Sequence, residues 1–164
     1  MTHPSLMPDT YLPELGKGSG YFLLAFRGIA FGGARCNCLN RFYENVFGPA
    51  GETVLTEIRI LARYLGNVGH RRIKLAQPGC ARLTHDEASL LSALSAAQNG
   101  DRVLMEAHLS WLMAGSVCFE ISQCLTAISE TFQQARLHVT APEAAPATPH
   151  TLPDKARLGV VGIA

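Results

Sequence analysis

The sequence predicts a mainly α fold, a compact helical domain of about five helices with a small β-hairpin near residues 71–83. Three observations carry that expectation. Residues 84–136 read as three consecutive helices separated by cap and stop residues. Two stretches before them repeat their apolar residues at helical spacing. Residues 70–83 alone switch to a period of two around a turn.

Residues 1–20 contain Pro4, Pro8 and Pro13 and end in Gly16-Lys17-Gly18-Ser19-Gly20, so they read as a flexible N-terminal arm. That glycine cluster lacks both the spacing and the preceding strand of a phosphate-binding loop. Residues 21–31 are apolar without a clear period and are assigned to a short buried helix. The pattern then sharpens: Leu39, Phe42, Tyr43, Val46 and Phe47 recur at i, i+3, i+4, i+7 and i+8, one face of a helix. Gly48-Pro49 stops it, because proline cannot continue the hydrogen-bond ladder. In the next helix Val54, Ile58, Leu61, Ala62 and Leu65 form the apolar stripe, with Arg59 and Arg63 on the other side.

Ile73 and Leu75 alternate with Arg72 and Lys74, which suits a strand. Gln77-Pro78-Gly79 is turn chemistry, with proline pre-set for the second position and glycine free to take positive φ. Residues 80–83 then return as the second strand of the expected hairpin. Thr84 and Glu87 have the spacing of a capping box, in which each side chain bonds the other's backbone amide. As a cap alone, Thr84 would matter more to stability than Glu87. Asn99-Gly100 ends that helix, Asp101 caps the next and Gly115 closes it, and Ser116 opens the last. The middle helix of the three carries apolar residues on two adjacent faces, Met105, Leu109, Leu112 and Met113 on one and Leu104, His108 and Trp111 on the other. Such a helix is expected to be central and buried on most sides. Val117, Ile121, Cys124, Leu125, Ile128, Phe132 and Ala135 give the last helix a long core-facing stripe.

The domain organisation that follows is an arm (1–20), a single helical domain (21–139) and a disordered Ala/Pro-rich tail (140–164). A chain of 164 residues, 48% hydrophobic and 16% charged, is long and apolar enough to bury a core without staples. The net charge of +1 gives no global pull toward nucleic acid or membrane. Five cysteines at spacings unlike a secreted framework point to reduced thiols and a cytoplasmic protein. The apolar run in residues 21–34 is too short to span a bilayer and is interrupted by Arg27.

Cys36, Cys38, Cys80 and His85 are the side chains that zinc prefers, but neither pair has the knuckle spacing of a structural site. They define a metal or redox sensor as one alternative. Nucleophile-elbow, metalloprotease and di-iron patterns are absent, so a non-enzymatic protein is expected, with no cofactor. Asp86 and Glu87 are explained by the helix cap and its dipole.

Charge distribution is the most specific signal. Arg59, Arg63, Arg71, Arg72, Lys74 and Arg82 fall in a segment with no acid, while the following fifty or so residues are almost purely acidic in their charges. The basic segment suits anion or nucleic-acid contact through phosphate neutralisation. Arg72-Ile73-Lys74-Leu75 followed by Leu83-Thr84, Glu87 and Leu90-Leu91 resembles the opening of the winged-helix effector domains of OmpR-like response regulators. The resemblance covers roughly twenty residues by the strand–helix layout of such motifs, and it implies DNA binding. It stops where that family has a recognition helix and basic wing, since this chain continues with apolar, acidic helices. The expectation is therefore a small cytoplasmic regulator or adaptor acting through protein–protein contact and self-associating as a homodimer. A nucleic-acid-binding regulator using the six basic residues is the alternative from another class.

Overall fold

The computed structural model describes residues 6–32 and 37–142. Its elements are β1 (Leu6–Tyr11), α1 (Gly16–Ala30), α2 (Asn37–Phe47), α3 (Gly51–Asn67), β2 (Arg82–Thr84), α4 (His85–Gln98), α5 (Arg102–Met113) and α6 (Phe119–Gln134). The protein is mainly α with a small two-stranded antiparallel sheet, as the sequence predicts. α4 packs against α5 and α6, α3 against α6 and α2, and α1 against α3. No helix among the described residues is long and apolar enough to cross a membrane.

The core is built from the stripes read above. Leu39, Tyr43 and Phe47 of α2, Val54, Ile58, Leu61 and Leu65 of α3, and Ile121, Leu125, Ile128 and Phe132 of α6 are all buried. Phe47 and Phe132 meet with ring centroids 4.9 Å apart. Tyr43 is fully enclosed, and burial pushes its phenol far above the ordinary range. Its hydroxyl donates to the Tyr21 carbonyl at 2.8 Å, which answers the one polar group that burial strands there.

The sheet differs from the expected hairpin in its partner. β2 pairs with β1, Leu6 opposite Thr84 and Tyr11 opposite Arg82, and residues 73–75 form no strand. The turn at Gln77-Pro78-Gly79 is present, with Gly79 at φ +84° and the Cys80 amide bonded to the Gln77 carbonyl at 3.0 Å. The alternation at Arg72–Leu75 falls on backbone without regular secondary structure, where the Lys74 and Ala76 amides donate to Asp86 and Glu87 of α4.

Residues 6–20 are therefore part of the fold and not a flexible arm. The glycine cluster 16–20 forms the first turn of α1, and a Cβ on Gly18 would stand 2.1 Å from the His138 carbonyl oxygen. Glycine is there so that residues 137–140 can cross α1 in contact with it. Ser19 donates to the Thr140 carbonyl at 2.6 Å and accepts from the Thr140 amide at 3.0 Å, and the Thr140 hydroxyl donates to Leu15. Thus residues 140–142 belong to the fold, while the remainder of the expected tail lies outside the described residues.

The three-helix layout holds, with adjusted punctuation. Thr84 and Glu87 form the capping box and Asp101 accepts from the Leu104 amide at 3.0 Å. Ala114, at φ +51°, closes α5 one residue before Gly115, and Cys118 precedes α6 in place of Ser116. The position of α5 overturns one expectation. Met105, Leu109, Leu112 and Met113 are buried, but Val103, Leu104 and Trp111 are 81%, 46% and 52% exposed. α5 packs mainly on α4 and sits at the edge of the bundle.

Candidate functional site

Four of the six basic residues converge. Arg59 and Arg63 of α3 and Arg71 and Arg72 of the following segment line one groove of about 590 Å³. His70 joins them, and Phe26, Ile29, Ala62, Leu65, Ile73 and Leu75 supply an apolar floor. Among the described residues the lining contains no acidic side chain.

The local chain path explains the convergence. α3 ends at Asn67, and Gly69 lets the chain fold back, because a Cβ there would stand 2.7 Å from the Leu65 carbonyl oxygen. Residues 70–76 then run as a strap fixed from both sides. The His70 amide donates to the Met113 carbonyl at 2.8 Å and the Arg71 Nε to the Trp111 carbonyl at 3.1 Å. Asp86 accepts from the Lys74 amide at 2.7 Å, and Glu87 from the Ala76 amide at 3.1 Å.

The four arginines are not equivalent. Arg71 is held by Asp86, with Nη2 2.7 Å from Oδ1 and Nη1 3.3 Å from Oδ2, and its guanidinium lies 4.2 Å from the Trp111 ring centroid. Arg59 is half-buried and donates to Asn40 at 3.0 Å. Arg63 and Arg72 are exposed and have no carboxylate partner among the described residues. Their planar forks of N–H donors match a carboxylate or phosphate in bidentate geometry. Lys74 and Arg82 do not line the groove. Lys74 is exposed on the strap, and Arg82 sits on β2 beside Tyr11, 5.7 Å from its ring centroid.

The proposed metal ligands are not brought together where they can be described. Cys36 lies outside the described residues. Cys38 is disulfide-bonded, so the expectation of reduced thiols fails there, while Cys80, Cys118 and Cys124 are free. His85 is the exposed first residue of α4. No three His, Cys, Asp or Glu side chains are grouped for a metal among the described residues. Cys124 is buried in the stripe of α6, where burial pushes its thiol well up.

Sequence reasoning missed the ion pair that organises the region behind the groove. Arg27 of α1 is buried and bonds Glu87 through Nε to Oε1 at 2.6 Å and Nη2 to Oε2 at 2.9 Å. It also donates to the carbonyls of Cys80 and Arg82 at 2.7 and 2.8 Å. The available signal was a lone arginine inside an otherwise apolar run, which had to find a buried acid.

A second groove, of about 790 Å³, lies between α3, α5 and α6. Glu57, Glu120 and Glu130 line it with exposed Ile60 and Phe119, and the one cation among its described lining residues, Arg102, is already paired with Glu106 at 2.8 Å. No family model matches the chain, and no curated protein or solved structure matches it either.

Proposed function

We propose that this is a non-enzymatic binding protein that acts through protein–protein contact and takes an acidic, partly apolar protein surface in the basic groove. The observation that carries this reading is the pairing of Arg63 and Arg72, both exposed and without a carboxylate among the described residues, with a floor of apolar side chains. A carboxylate-bearing segment with apolar neighbours satisfies both halves of that lining. Duplex nucleic acid would satisfy only the arginines, and high-affinity duplex binding uses about 6–10 phosphate contacts. Lys74 and Arg82, which would extend a phosphate track, lie elsewhere, and the groove of Glu57, Glu120 and Glu130 repels a polyanion. The groove's ionisable groups are four arginines and His70, and arginine stays protonated, which fits binding better than proton transfer.

Fluorescence anisotropy with a short Glu- and Leu-containing peptide, against a DNA duplex of similar length, tests the reading. The peptide should bind, and Arg63→Glu with Arg72→Glu should weaken it by about tenfold or more, equal to the loss of one charge-assisted pair. Preferential duplex binding with a steep loss between about 50 and 200 mM salt would establish the nucleic-acid alternative instead. Peptide binding indifferent to the charge reversal would overturn the proposal.

A further inference from the structure

One wall of the acidic groove is a face of α6, where Glu120, Gln123, Ala127 and Glu130 fall at i, i+3, i+7 and i+10. From Phe119 to Glu130 that wall is about 16 Å long, at about 1.5 Å a residue. Glu57, Glu120 and Glu130 make no ion pair among the described residues, and Ile60 and Phe119 are exposed beside them. Carboxylates with apolar neighbours fit a segment that carries cations next to aliphatic side chains. The sequence contains such a segment outside the described residues: Lys155 and Arg157, followed by Leu158, Val160, Val161 and Ile163. The described chain comes close to the groove before it reaches that segment. Gln98 Nε2 donates to the Leu137 carbonyl at 2.9 Å, and Gln98 Oε1 accepts from the Val139 amide at 2.8 Å. Gln98 follows Ala97 of the groove, and its Nε2 also lies 3.5 Å from the Ser129 carbonyl, next to Glu130. This fastens residues 137–139 near the end of the groove that Ala97 and Glu130 line. From there the reach is sufficient: residues 143–154 extend to at most about 40 Å, against a radius of gyration of about 14 Å for a domain of this size.

We infer that residues 155–164 return to their own chain and occupy the acidic groove. Lys155 and Arg157 then face Glu130 and Glu57, and Val160 to Ile163 cover Ile60 and Phe119. Extended chain rises about 3.3 Å a residue, so residues 157–163 cover about 20 Å, enough for the α6 wall. Charge selects this groove over the other two. The basic groove repels Lys155 and Arg157. A third groove, of about 380 Å³, is lined by Leu12, Tyr21, Leu24 and Pro78, but no carboxylate stands among its described lining residues. Tethering favours the chain's own segment over a separate basic partner, since a short tether gives an effective concentration of about a millimolar. The inference is independent of what the basic groove binds.

Zero-length carbodiimide coupling of the full chain, followed by peptide mass spectrometry, reads which carboxylate Lys155 touches. Wild type should give Lys155 joined to Glu130 or Glu57 in material of one-chain mass. Val160→Asp with Val161→Asp sets like charge against the groove and should lower that yield by about tenfold or more. Phe119→Asp, at an exposed position, should do the same from the groove side. Both variants keep Lys155 and the glutamates in place, so a lost product with unchanged circular dichroism reports lost docking. Coupling of Lys155 only to other carboxylates, or no coupling at all, overturns the inference. So does coupling confined to two-chain material, or a yield unchanged in either variant.

Discussion

Arg27 and Glu87 form a bidentate ion pair in which the two side chains are 3% and 0% exposed. Every atom of the carboxylate is used, since the amides of Thr84 and Ala76 donate to it as well. One glutamate therefore completes the cap of α4, anchors the strap at Ala76 and neutralises a cation buried in α1. This inverts the ranking that the capping box alone suggests. Glu87→Ala should cost about 3–5 kcal/mol, because it leaves a buried guanidinium uncompensated. Thr84→Ala should cost about 0.5–2 kcal/mol, the range for a lost cap. Arg27→Met combined with Glu87→Met should cost less than the two singles together, since neither charge is then left alone. Urea denaturation of Glu87→Ala, Thr84→Ala, the two methionine singles and their double reads all three expectations; an additive double variant would refute the pairing.

Gly18 lies against the His138 carbonyl so closely that no side chain fits. Gly18→Ala should displace residues 137–140 from α1, at about 1–3 kcal/mol from forced overpacking. Helix propensity alone works the other way, since alanine in a helix is favoured over glycine by up to about 1 kcal/mol. The sign of the change in denaturation midpoint thus decides between the two effects. A stabilised variant would mean that the 137–140 segment is not held there.

What was legible followed from short-range physics. The capping box at Thr84, the cap at Asp101 and the stripes of α2, α3 and α6 each depend on residues within a few positions, and each stands as read. The larger errors involve distant partners, whereas Gly115 and Ser116 missed their helix ends by only one or two residues. Alternation at Arg72–Leu75 suggested a strand but could not say that α4 carboxylates take the Lys74 and Ala76 amides. The glycines at 16–20 looked loose because the segment that packs on Gly18 lies over a hundred residues away. For the groove, the acid-free run predicted a basic surface. Which arginines share it was set by the fold-back at Gly69 and by Asp86 claiming Arg71. Burial of α5 failed for a related reason: periodicity states that a face is apolar, not that another element packs on it.

His108 gives a pH dependence of known sign. Its Nδ1 lies 2.9 Å from the Ser89 hydroxyl, and burial lowers its pKa below the ordinary imidazole value. The folded state thus favours the neutral ring. Its contribution is fully present above the unfolded pKa of about 6.5 and is lost as pH falls toward the lowered folded value. The ring is only partly buried, so solvent screening keeps the effect small. On going from about pH 7.5 to about pH 5.5, wild type should lose more stability than His108→Gln, which cannot titrate. Equal losses in the two proteins would show that the ring does not contribute.

Asp86 is the second fastening of the strap and the one nearest the groove. It is buried, and it accepts from the Lys74 amide while its two oxygens hold Arg71 over Trp111. Asp86→Ala removes the acceptor of a backbone amide and the partner of Arg71 together, at about 1–3 kcal/mol for the unsatisfied donor. The loss should be local. Hydrogen exchange at the Lys74 amide should speed up sharply, while the Ala76 amide, bonded to Glu87, and the amides within α4 keep most of their protection. Arg71→Gln separates the two roles, because Asp86 then still accepts from Lys74 and the amide should stay protected. Fast exchange at Lys74 in both variants would assign the fastening to the Arg71–Trp111 stack. Protection in both would place it at Glu87 and the Thr84–Lys74 contact, where the hydroxyl donates to the Lys74 carbonyl at 2.7 Å.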